Sequence, residues 1–365
     1  MMAMRIQAVD VFSLYAALFR PFHWATGTAA SRQANLVRVR LDSGVEGWGE
    51  SIYDTSCILK GISLALVGED VADRQRVARM LSNVVPLNDP ISRELIGAVD
   101  VAIWDAVSRS AGVPLCRFIS GMDPRAVDAY ASSIYYTQGD ESPALTARRW
   151  REAGFSGIKV KIGGRPLAED LDRLRTIRAG VGPDVCLMVD ANQSYDADSA
   201  IALAEALGPF DIYWIEEPVP ALDLDAHRAL KTAARFRLAA GEGLHSFDAF
   251  LPFLAEDLLD VVQFNVSRVG GVVAALDIAK AAAGKQLAIH HWGTPVGLAA
   301  SLHLACCLPI GSRILMEVDL SPNPLRGIWD WPGNGTLRDS QIAPPSGSGL
   351  GIAPDIERLS FYAIG

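Results

Sequence analysis

The sequence is poor in cysteine and has no long apolar run. Its five cysteines form no CxxC pair among 365 residues, and an odd number suits free thiols in a reducing cytoplasm better than a disulfide framework. No uninterrupted apolar stretch approaches the roughly 18 residues of a membrane span. The amino-terminal residues lack the apolar core of a secretory signal. We therefore expect a cytoplasmic protein without a membrane segment.

Positive charge is also scarce. Lys and Arg number 33 against 42 Asp and Glu, which gives a net charge of −9 and a pI of about 5.2. Nucleic acids and anionic membrane surfaces need basic patches, so we expect neither as a partner. A small anionic molecule is not excluded, because the local charge of a pocket decides its binding. A composition of 50% hydrophobic and 21% charged residues is that of an ordinary globular protein.

Three acidic residues recur at a fixed interval. Asp190, Glu216 and Glu242 lie 26 residues apart each time, and each follows an apolar run that is typical of a buried strand. About 25 residues is the length of one strand-plus-helix unit, so consecutive units of a parallel barrel would bring one carboxylate each to the same rim. Three converging carboxylates repel one another unless a cation lies between them. This pattern predicts a hard divalent metal, and Mg²⁺ fits an all-oxygen site best.

From about residue 126 the chain alternates between candidate strands and candidate helices. Eight strands with seven helices between them predict a closed parallel barrel. Pro322 and Pro324 follow the last strand and argue against an immediate eighth helix, so the barrel is of the modified (β/α)7β kind. The strands are 127–132, 157–161, 185–190, 211–216, 237–241, 260–264, 286–290 and 312–316. The helices are 142–153, 167–179, 196–207, 223–234, 247–255, 270–283 and 295–306.

The flanking parts of the chain have a different pattern. Residues 1–125 are predicted to form a separate α+β domain, the barrel to span 126–320, and 321–365 to pack back on the first domain. This tail is rich in Pro and Gly and ends in a run that resembles a short strand. In the first domain we predict strands at 4–14 and 34–42 and helices near 69–82 and 91–110.

Polar groups stand at successive carboxyl ends of the predicted barrel strands, where such barrels place their active sites. Lys159 and Lys161 lie on one face of the second strand, Asn265 ends the sixth, His290 the seventh and Glu317 the eighth. Burial and a nearby metal would both lower a lysine pKa, which would make one lysine usable as a base near neutral pH.

These residues and their order resemble the enolase superfamily, in its mandelate racemase/muconate lactonizing enzyme group. The resemblance covers nearly the whole chain. Its motifs are Gly47-Trp48-Gly49-Glu50, Ala98 to Asp105, Lys159-Val160-Lys161-Ile162-Gly163, Val189-Asp190-Ala191-Asn192, Trp214-Ile215-Glu216-Glu217-Pro218, Gly241-Glu242, Arg268-Val269-Gly270-Gly271, His290-His291-Trp292-Gly293-Thr294 and Gly349-Leu350-Gly351-Ile352.

The resemblance implies one Mg²⁺ per subunit, a role for each residue at the rim and a homo-oligomer. It implies that the first domain caps the barrel and is completed by the tail. A Lys or His base with Mg²⁺ is a known general pattern of this superfamily, not an inference from these residues. The implied metal ligands are Asp190, Glu216 and Glu242. The implied catalytic residues are Lys161 as the base that removes a proton α to a carboxylate, Lys159 as a cation on that carboxylate, His290 as the acid/base on the opposite face, and Glu317 as a protonated hydrogen-bond donor.

One position departs from the family pattern. Asn265 stands where an aspartate usually pairs with the histidine that ends strand seven. An amide can orient His290, but it stabilises an imidazolium much less than a carboxylate does, so His290 suits proton donation better than abstraction. Two-base racemisation is therefore less favoured than a one-base elimination or cycloisomerisation.

Substrate selection in this family is expected from loops of the first domain. Two candidate loops are Phe19–Thr26 and Glu50–Thr55. Their side chains would suit a hydroxylated, anionic small molecule, or they would only pack the domain interface. The candidate substrate contacts are Arg20, His23, Trp24, Tyr53 and Trp292.

Three functions remain open. The preferred one is Mg²⁺-dependent dehydration of an acid sugar, because dehydration is the commoner outcome among acid-sugar relatives, with cycloisomerisation or racemisation as the alternative. A zinc hydrolase barrel would need several histidine ligands, whereas this rim supplies one or two. A non-catalytic binding protein is suggested only by Asn265, and the retained lysines and carboxylates argue against it.

Overall fold

The computed structural model describes residues 4–53, 56–73, 77, 80, 81, 83, 89–137, 142–233, 236–330 and 337–364. Within them the strands are β1 Ile6–Trp24, β2 Gly27–Leu41, β3 Glu46–Ser51, β4 Val127–Ile134, β5 Tyr136–Thr137, β6 Gly157–Lys161, β7 Cys186–Asp190, β8 Ile212–Glu216, β9 Arg237–Ala240, β10 Val261–Phe264, β11 Gln286–Ile289, β12 Ile314–Asp319, β13 Leu337–Arg338 and β14 Gln341–Ile342. The helices are α1 Ser56–Leu66, α2 Pro90–Ser110, α3 Leu115–Ser120, α4 Pro143–Glu152, α5 Leu167–Val181, α6 Ala197–Ala206, α7 Leu224–Ala233, α8 Phe247–Ala255, α9 Val272–Ala281, α10 Pro295–Cys307 and α11 Ile356–Tyr362.

The first part of the chain forms an antiparallel sheet with helices on one face. The strand order is β3-β2-β1-β5. The helix α2 lies across this sheet because Gly47 and Gly49 on β3 have no side chain, and a Cβ at either would overlap the backbone of α2. Apolar residues of β1, β2 and α2 form a core of their own.

The barrel follows as eight parallel strands, β4 and β6 to β12. Neighbouring strands pair in chain order, and β12 closes the ring on β4, with Glu317 opposite Tyr130. Helices α4 to α10 lie between the strands, and a short 3-10 turn at Pro324–Ile328 follows β12 in place of an eighth standard helix. The predicted fold, a modified (β/α)7β barrel with an amino-terminal α+β domain, is confirmed.

The tail returns to the first domain. Its last residues pair with β1 through a bridge between Ala363 and Leu14 and a hydrogen bond from Ile364 N to Ser13 O. The predicted terminal strand is wrong, because this run is the helix α11. Asp355 caps that helix by accepting from the N–H groups of Glu357 and Arg358, and such a cap favours helix over the extended form.

Two predictions for the first domain differ from the structure. The strands are longer than expected, and Phe19–Thr26 is mostly the end of β1, not a loop, because Phe22, His23 and Trp24 pair with β2. The helix predicted near 69–82 is wrong at its start, because Asp70 forms a bridge with Arg5 and a turn follows; residues 77, 80 and 81 are helical, and the others lie outside the described residues. None of the described helices is both long and apolar enough to cross a bilayer.

Candidate active site

The predicted rim residues lie together at the carboxyl ends of the barrel strands. Lys161 is the register partner of Asp190, and Asp190 is the partner of Glu216. Lys159 is 2% exposed, and the two acids are fully buried. Adjacent parallel strands therefore place two cations and two anions in contact away from water, where charges interact strongly.

The two lysines neutralise the carboxylates. Lys159 Nζ lies 2.5 Å from Glu216 Oε1, 2.9 Å from Glu317 Oε1 and 3.5 Å from Asp190 Oδ2. Lys161 Nζ lies 2.5 Å from Asp190 Oδ2. Burial alone would lower both lysine pKa values, but Glu216 and Glu317 raise the pKa of Lys159 and Asp190 raises that of Lys161. Direct pairing with the carboxylates therefore outweighs burial in its effect on both lysine pKa values.

Glu317 also pairs with a lysine. Burial would raise its pKa, but Lys159 and His290 lower it below the ordinary value. The carboxylate accepts from Lys159 and from the hydroxyl of Tyr130 at 3.3 Å. These contacts favour the ionised form of Glu317, and the protonated donor implied by the family resemblance stays a prediction.

The carboxylates of Asp190, Glu216 and Glu242 are suitable ligands for a hard divalent cation. In this structure the first two pair with lysines. In the described part of the chain, no three Asp, Glu, His or Cys side chains already surround one point that could hold a metal ion. Asp190 and Glu216 share Lys159 as their countercharge, and Glu242 reaches His290. Carboxylate oxygens from three consecutive strand ends are the donors that Mg²⁺ prefers, and their mutual repulsion already requires a cation between them.

Asn265 determines which nitrogen of His290 carries the proton. Asn265 Oδ1 accepts from the N–H groups of Ser267 at 3.1 Å and Arg268 at 3.2 Å, so its Nδ2 faces His290 Nδ1 at 3.3 Å. An amide nitrogen only donates, so Nδ1 must accept. Neutral His290 then bears its proton on Nε2, which lies 2.8 Å from Glu242 Oε2. The Nε2–H group therefore faces the site, and the role of His290 as the acid stays a prediction.

A cavity of about 310 Å³ opens over these residues. Three of the predicted substrate contacts, Trp24, Tyr53 and Trp292, line it. Arg20 is exposed at an irregular part of β1, and the ring of His23 bonds to Thr28 Oγ1 at 2.8 Å. Neither is among the residues that line the cavity. The full lining is Trp24, Ile52, Tyr53, Tyr135, Lys161, Asn192, Glu242, Arg268, His290, Trp292 and Glu317.

Four of these lining residues were not predicted as site residues. Asn192 and Arg268 stand just beyond strand ends, inside motifs quoted from the sequence, and that position could have indicated them. Tyr135 directly follows the first barrel strand, and this position could also have indicated it. Ile52 lies in a predicted loop but has no polar group that would draw attention to it.

The capping domain holds the loop that carries His290 and Trp292. Glu50, 5% exposed on β3, accepts from Thr294 N at 2.8 Å, from Gly297 N at 3.2 Å and from the hydroxyl of Thr294. These donors form the amino terminus of α10, which favours a negative charge. A Cβ at Gly293 would overlap Glu50 Oε1. The carboxylate thus joins the two domains directly beside the candidate acid.

Substitution of Glu50 should flatten the pH dependence of stability. Burial raises the pKa of Glu50 from 4.5 to about 7, even though Thr294 and Gly297 favour the charged form. Between these values the folded protein keeps a proton that the unfolded chain releases, so the free energy of unfolding falls as pH rises through this window. The loss attributable to Glu50 is about 3 kcal/mol at ~1.4 kcal/mol per pH unit. Urea unfolding of Glu50→Gln between pH 5 and pH 8 should lack this part of the slope.

Glu46→Gln is the matched control for that measurement. Glu46 begins the same strand, but its carboxylate pairs with Arg38 at 3.2 Å within the capping sheet. This variant should keep the wild-type slope. Equal slopes in wild type and Glu50→Gln would show that the carboxylate at the domain junction does not retain its proton on folding.

Comparisons with known proteins agree with this geometry. Residues 8–120 match the family model described as the mandelate racemase/muconate lactonizing enzyme amino-terminal domain, and residues 143–359 match the enolase C-terminal domain-like model. A D-galactarolactone cycloisomerase of Agrobacterium fabrum is 30% identical over 98% of this chain and 99% of its own length. An L-talarate/galactarate dehydratase of Salmonella typhimurium is 32% identical over 75% of this chain and 70% of its own.

Solved structures show the same similarity. The 3,6-anhydro-D-galactonate cycloisomerase of Zobellia galactanivorans superimposes with a TM-score of 0.88 at 26% identity and covers 99% of this chain and 100% of its own. The Salmonella dehydratase liganded with Mg and L-lyxarohydroxamate has a TM-score of 0.86 at 26% identity, over 100% of this chain and 94% of its own. The family inferred from the sequence is confirmed: this chain belongs to the enolase superfamily, in its mandelate racemase/muconate lactonizing enzyme group.

Proposed function

We propose that this enzyme removes the proton α to the carboxylate of an acid sugar or its lactone, forms an enediolate and then eliminates the β oxygen as water. The observation that carries the proposal is the pair of buried lysines on one face of β6, in contact with the strand-end carboxylates, with Lys161 and His290 lining the same cavity. Lys159 binds the substrate carboxylate, Lys161 takes the α-proton and His290 donates a proton.

Lys161 lines the cavity and acts as the base, while Lys159 lies deeper and attracts the substrate carboxylate. Mg²⁺, when bound by Asp190, Glu216 and Glu242, supplies positive charge that offsets the carboxylates now raising the pKa of Lys161 and stabilises the charge of an enediolate. Lys161 Nζ takes the α-proton, the electron pair passes to the carboxylate, and its return breaks the bond between the β carbon and oxygen.

His290 completes the elimination as the proton donor. As an imidazolium ion it protonates the leaving oxygen from Nε2 and becomes neutral imidazole; the proton held on Lys161 is then released to water, and His290 is reprotonated from water. A racemase of this arrangement would need His290 to accept a proton at Nε2, which the neutral tautomer already carries. Elimination therefore fits the hydrogen bonds better than two-base racemisation.

Cycloisomerisation is the second candidate. It uses the same abstraction, but the leaving oxygen belongs to a lactone or ether ring, so the product is an isomer of the substrate. The relative that aligns over 98% of this chain, the D-galactarolactone cycloisomerase, favours this outcome.

A panel of acid sugars and their lactones, incubated with Mg²⁺ in D₂O, tests the proposal. Proton NMR should show deuterium at the α carbon of the substrate and a product of elimination. A mass lower by one water identifies a dehydratase, and an unchanged mass apart from deuterium identifies a cycloisomerase. The control is the same protein with excess chelator. A folded, Mg²⁺-supplied enzyme that exchanges no α-proton on any member of the panel would contradict the proposed function.

A further inference from the structure

A second and much smaller cavity lies directly behind the wall of the candidate active site. Its volume is about 20 Å³, and Ile52 and Trp292 line both this cavity and the larger one. Asn265, whose amide contacts the ring of His290, lines it as well. A water molecule needs roughly 10–15 Å³ of such space. The cavity is therefore large enough for one water and too small for a substrate.

His291 brings one unpaired acceptor to this cavity, which it lines while only 3% exposed. Its Nε2 lies 3.0 Å from Thr294 O, and a carbonyl oxygen only accepts, so Nε2 bears the ring proton. Burial lowers the pKa of His291 to about 4, so the ring is neutral near pH 7. Nδ1 is then an acceptor, and among the described residues it has no hydrogen-bond donor.

Glu94 brings a second unpaired acceptor from the capping domain. It lies on α2, is 2% exposed and lines the same cavity. Its Oε1 accepts from Ile52 N at 2.5 Å, whereas Oε2 has no hydrogen-bond partner within the described part of the chain. Arg268 Nε lies 3.6 Å from Oε2, which is too far for a hydrogen bond.

Two buried acceptors at one small cavity need a donor with two hydrogens. Buried polar groups without partners are costly, and in native proteins nearly all of them bond to protein or to ordered water. One water donates an O–H group to each acceptor, and its oxygen can accept from a hydroxyl such as that of Ser301, which also lines the cavity. Burial raises the pKa of Glu94, and Arg268 lowers it. A proton on Glu94 Oε2 would be donated to the same water, which would still donate to His291.

We propose that this cavity binds one water between Glu94 Oε2 and His291 Nδ1, and that Glu94 acts through this water as a positioning residue for the candidate acid His290. His290 and His291 are consecutive in the chain, so a His291 ring held at both nitrogens keeps the peptide between them in place. The water site stands by itself. The positioning role rests on the proposed function, because it requires His290 to protonate the leaving oxygen.

A crystal structure of the protein, at a resolution that shows ordered waters, tests the site. We expect a water about 2.7–3.2 Å from both Glu94 Oε2 and His291 Nδ1. Gly297→Ala should displace it, since Gly297 lines the cavity and a Cβ there would lie 3.4 Å from Glu50 Oε1, an ordinary contact. Density for no water in the wild type, or a direct hydrogen bond between Glu94 and His291, would overturn the site.

The positioning role is tested by two rates in D₂O with Mg²⁺ and the acid sugar or lactone that the enzyme converts fastest. The measured quantity is the ratio of product formation to deuterium exchange at the α carbon, at saturating substrate. Glu94→Leu should lower this ratio about tenfold, the order of effect of one hydrogen bond, because exchange needs Lys161 and product formation also needs His290. Glu94→Gln should restore most of the ratio, since its amide can still bond to the water.

Asp105→Asn is the matched control. Asp105 is a fully buried acid of the same helix that accepts from Trp48 N at 2.9 Å and from Leu350 N at 2.6 Å, and it lines neither cavity. This variant should lower the thermal midpoint and keep the wild-type ratio. The comparison separates the positioning of the acid from a general loss of stability.

The outcomes distinguish the claims. A wild-type ratio in folded Glu94→Leu, even with both rates reduced, would overturn the positioning role and leave the proposed function standing. Exchange on no acid sugar or lactone would overturn the proposed function and the positioning role together, whereas the crystal structure decides the water independently. If Glu94→Leu fails to fold, Gly297→Ala, which changes neither Glu94 nor His291, should show the same fall in the ratio.

Discussion

Lys161→Ala should abolish deuterium exchange at the α carbon of the substrate, whereas His290→Asn should keep the exchange and block product formation. Lys161 comes from the second barrel strand and His290 follows the seventh, and both line the same cavity. If Lys161 alone removes the proton, its loss stops the first step. His290 is needed only when the leaving oxygen is protonated. A general acid or base contributes roughly 10²–10⁴-fold, so either variant should lose that much turnover.

The two rates are separated by proton NMR in D₂O, where exchange and product appear as different signals. Lys280→Ala removes an exposed lysine at the end of α9 and should leave both rates at the wild-type level. The reverse pattern, exchange that survives Lys161→Ala and disappears in His290→Asn, would make His290 the base. The hydrogen bond from Asn265 would then have to be rearranged when substrate binds.

Mg²⁺ should raise the thermal midpoint of the wild-type protein by several degrees. A ligand that binds only the folded state adds about 2.7 kcal/mol of stability at a concentration 100 times its Kd. One kcal/mol corresponds to roughly 2–4 °C for chains of 150–250 residues. Asp190→Asn, Glu216→Gln and Glu242→Gln should each remove most of this response, because each takes away one of the proposed oxygen donors. Differential scanning fluorimetry with and without chelator measures it directly, without any substrate.

Glu205→Gln gives the baseline for that series. Glu205 lies exposed on α6, so its variant should respond to Mg²⁺ as the wild type does. A full response in Asp190→Asn would place the ion elsewhere, and no response in the wild type at millimolar Mg²⁺ would contradict the metal assignment. Both outcomes are independent of the identity of the substrate.

The barrel could be predicted because its periodicity lies in short segments of the sequence. The strands that end at Asp190 and Glu216 are apolar runs of the right length, and the interval between them is one strand-plus-helix unit. The end of β1 was assigned to a loop because its order depends on pairing with Gly27–Ala29, which no local pattern of Phe19–Thr26 reveals. The terminal run resembles a strand in the sequence but forms the helix α11, whose amino terminus Asp355 caps.

The positions of charged side chains were easier to predict than their protonation. The sequence indicates that Lys159, Lys161 and three carboxylates meet at one rim, but it does not show which atoms pair. In the structure Lys161 Nζ lies 2.5 Å from Asp190 Oδ2, and this contact raises the lysine pKa, which burial alone would lower. Arg20 and His23 illustrate the opposite limit. They were predicted as substrate contacts from the chemistry of their side chains, but neither side chain lines the cavity.

The contact between Glu50 and the amino terminus of α10 also restricts which capping domains can be combined with this barrel. Asp100 makes a second contact of the same kind, accepting from Val272 N at 2.9 Å where a Cβ at Gly271 would overlap it. In each case an acid of the capping domain fits only opposite a glycine of the barrel. A capping domain from a relative that lacked these acids would leave the N–H groups of Thr294, Gly297 and Val272 without their acceptors. New substrate preferences are therefore more readily acquired by changing side chains such as Trp24 than by exchanging whole domains.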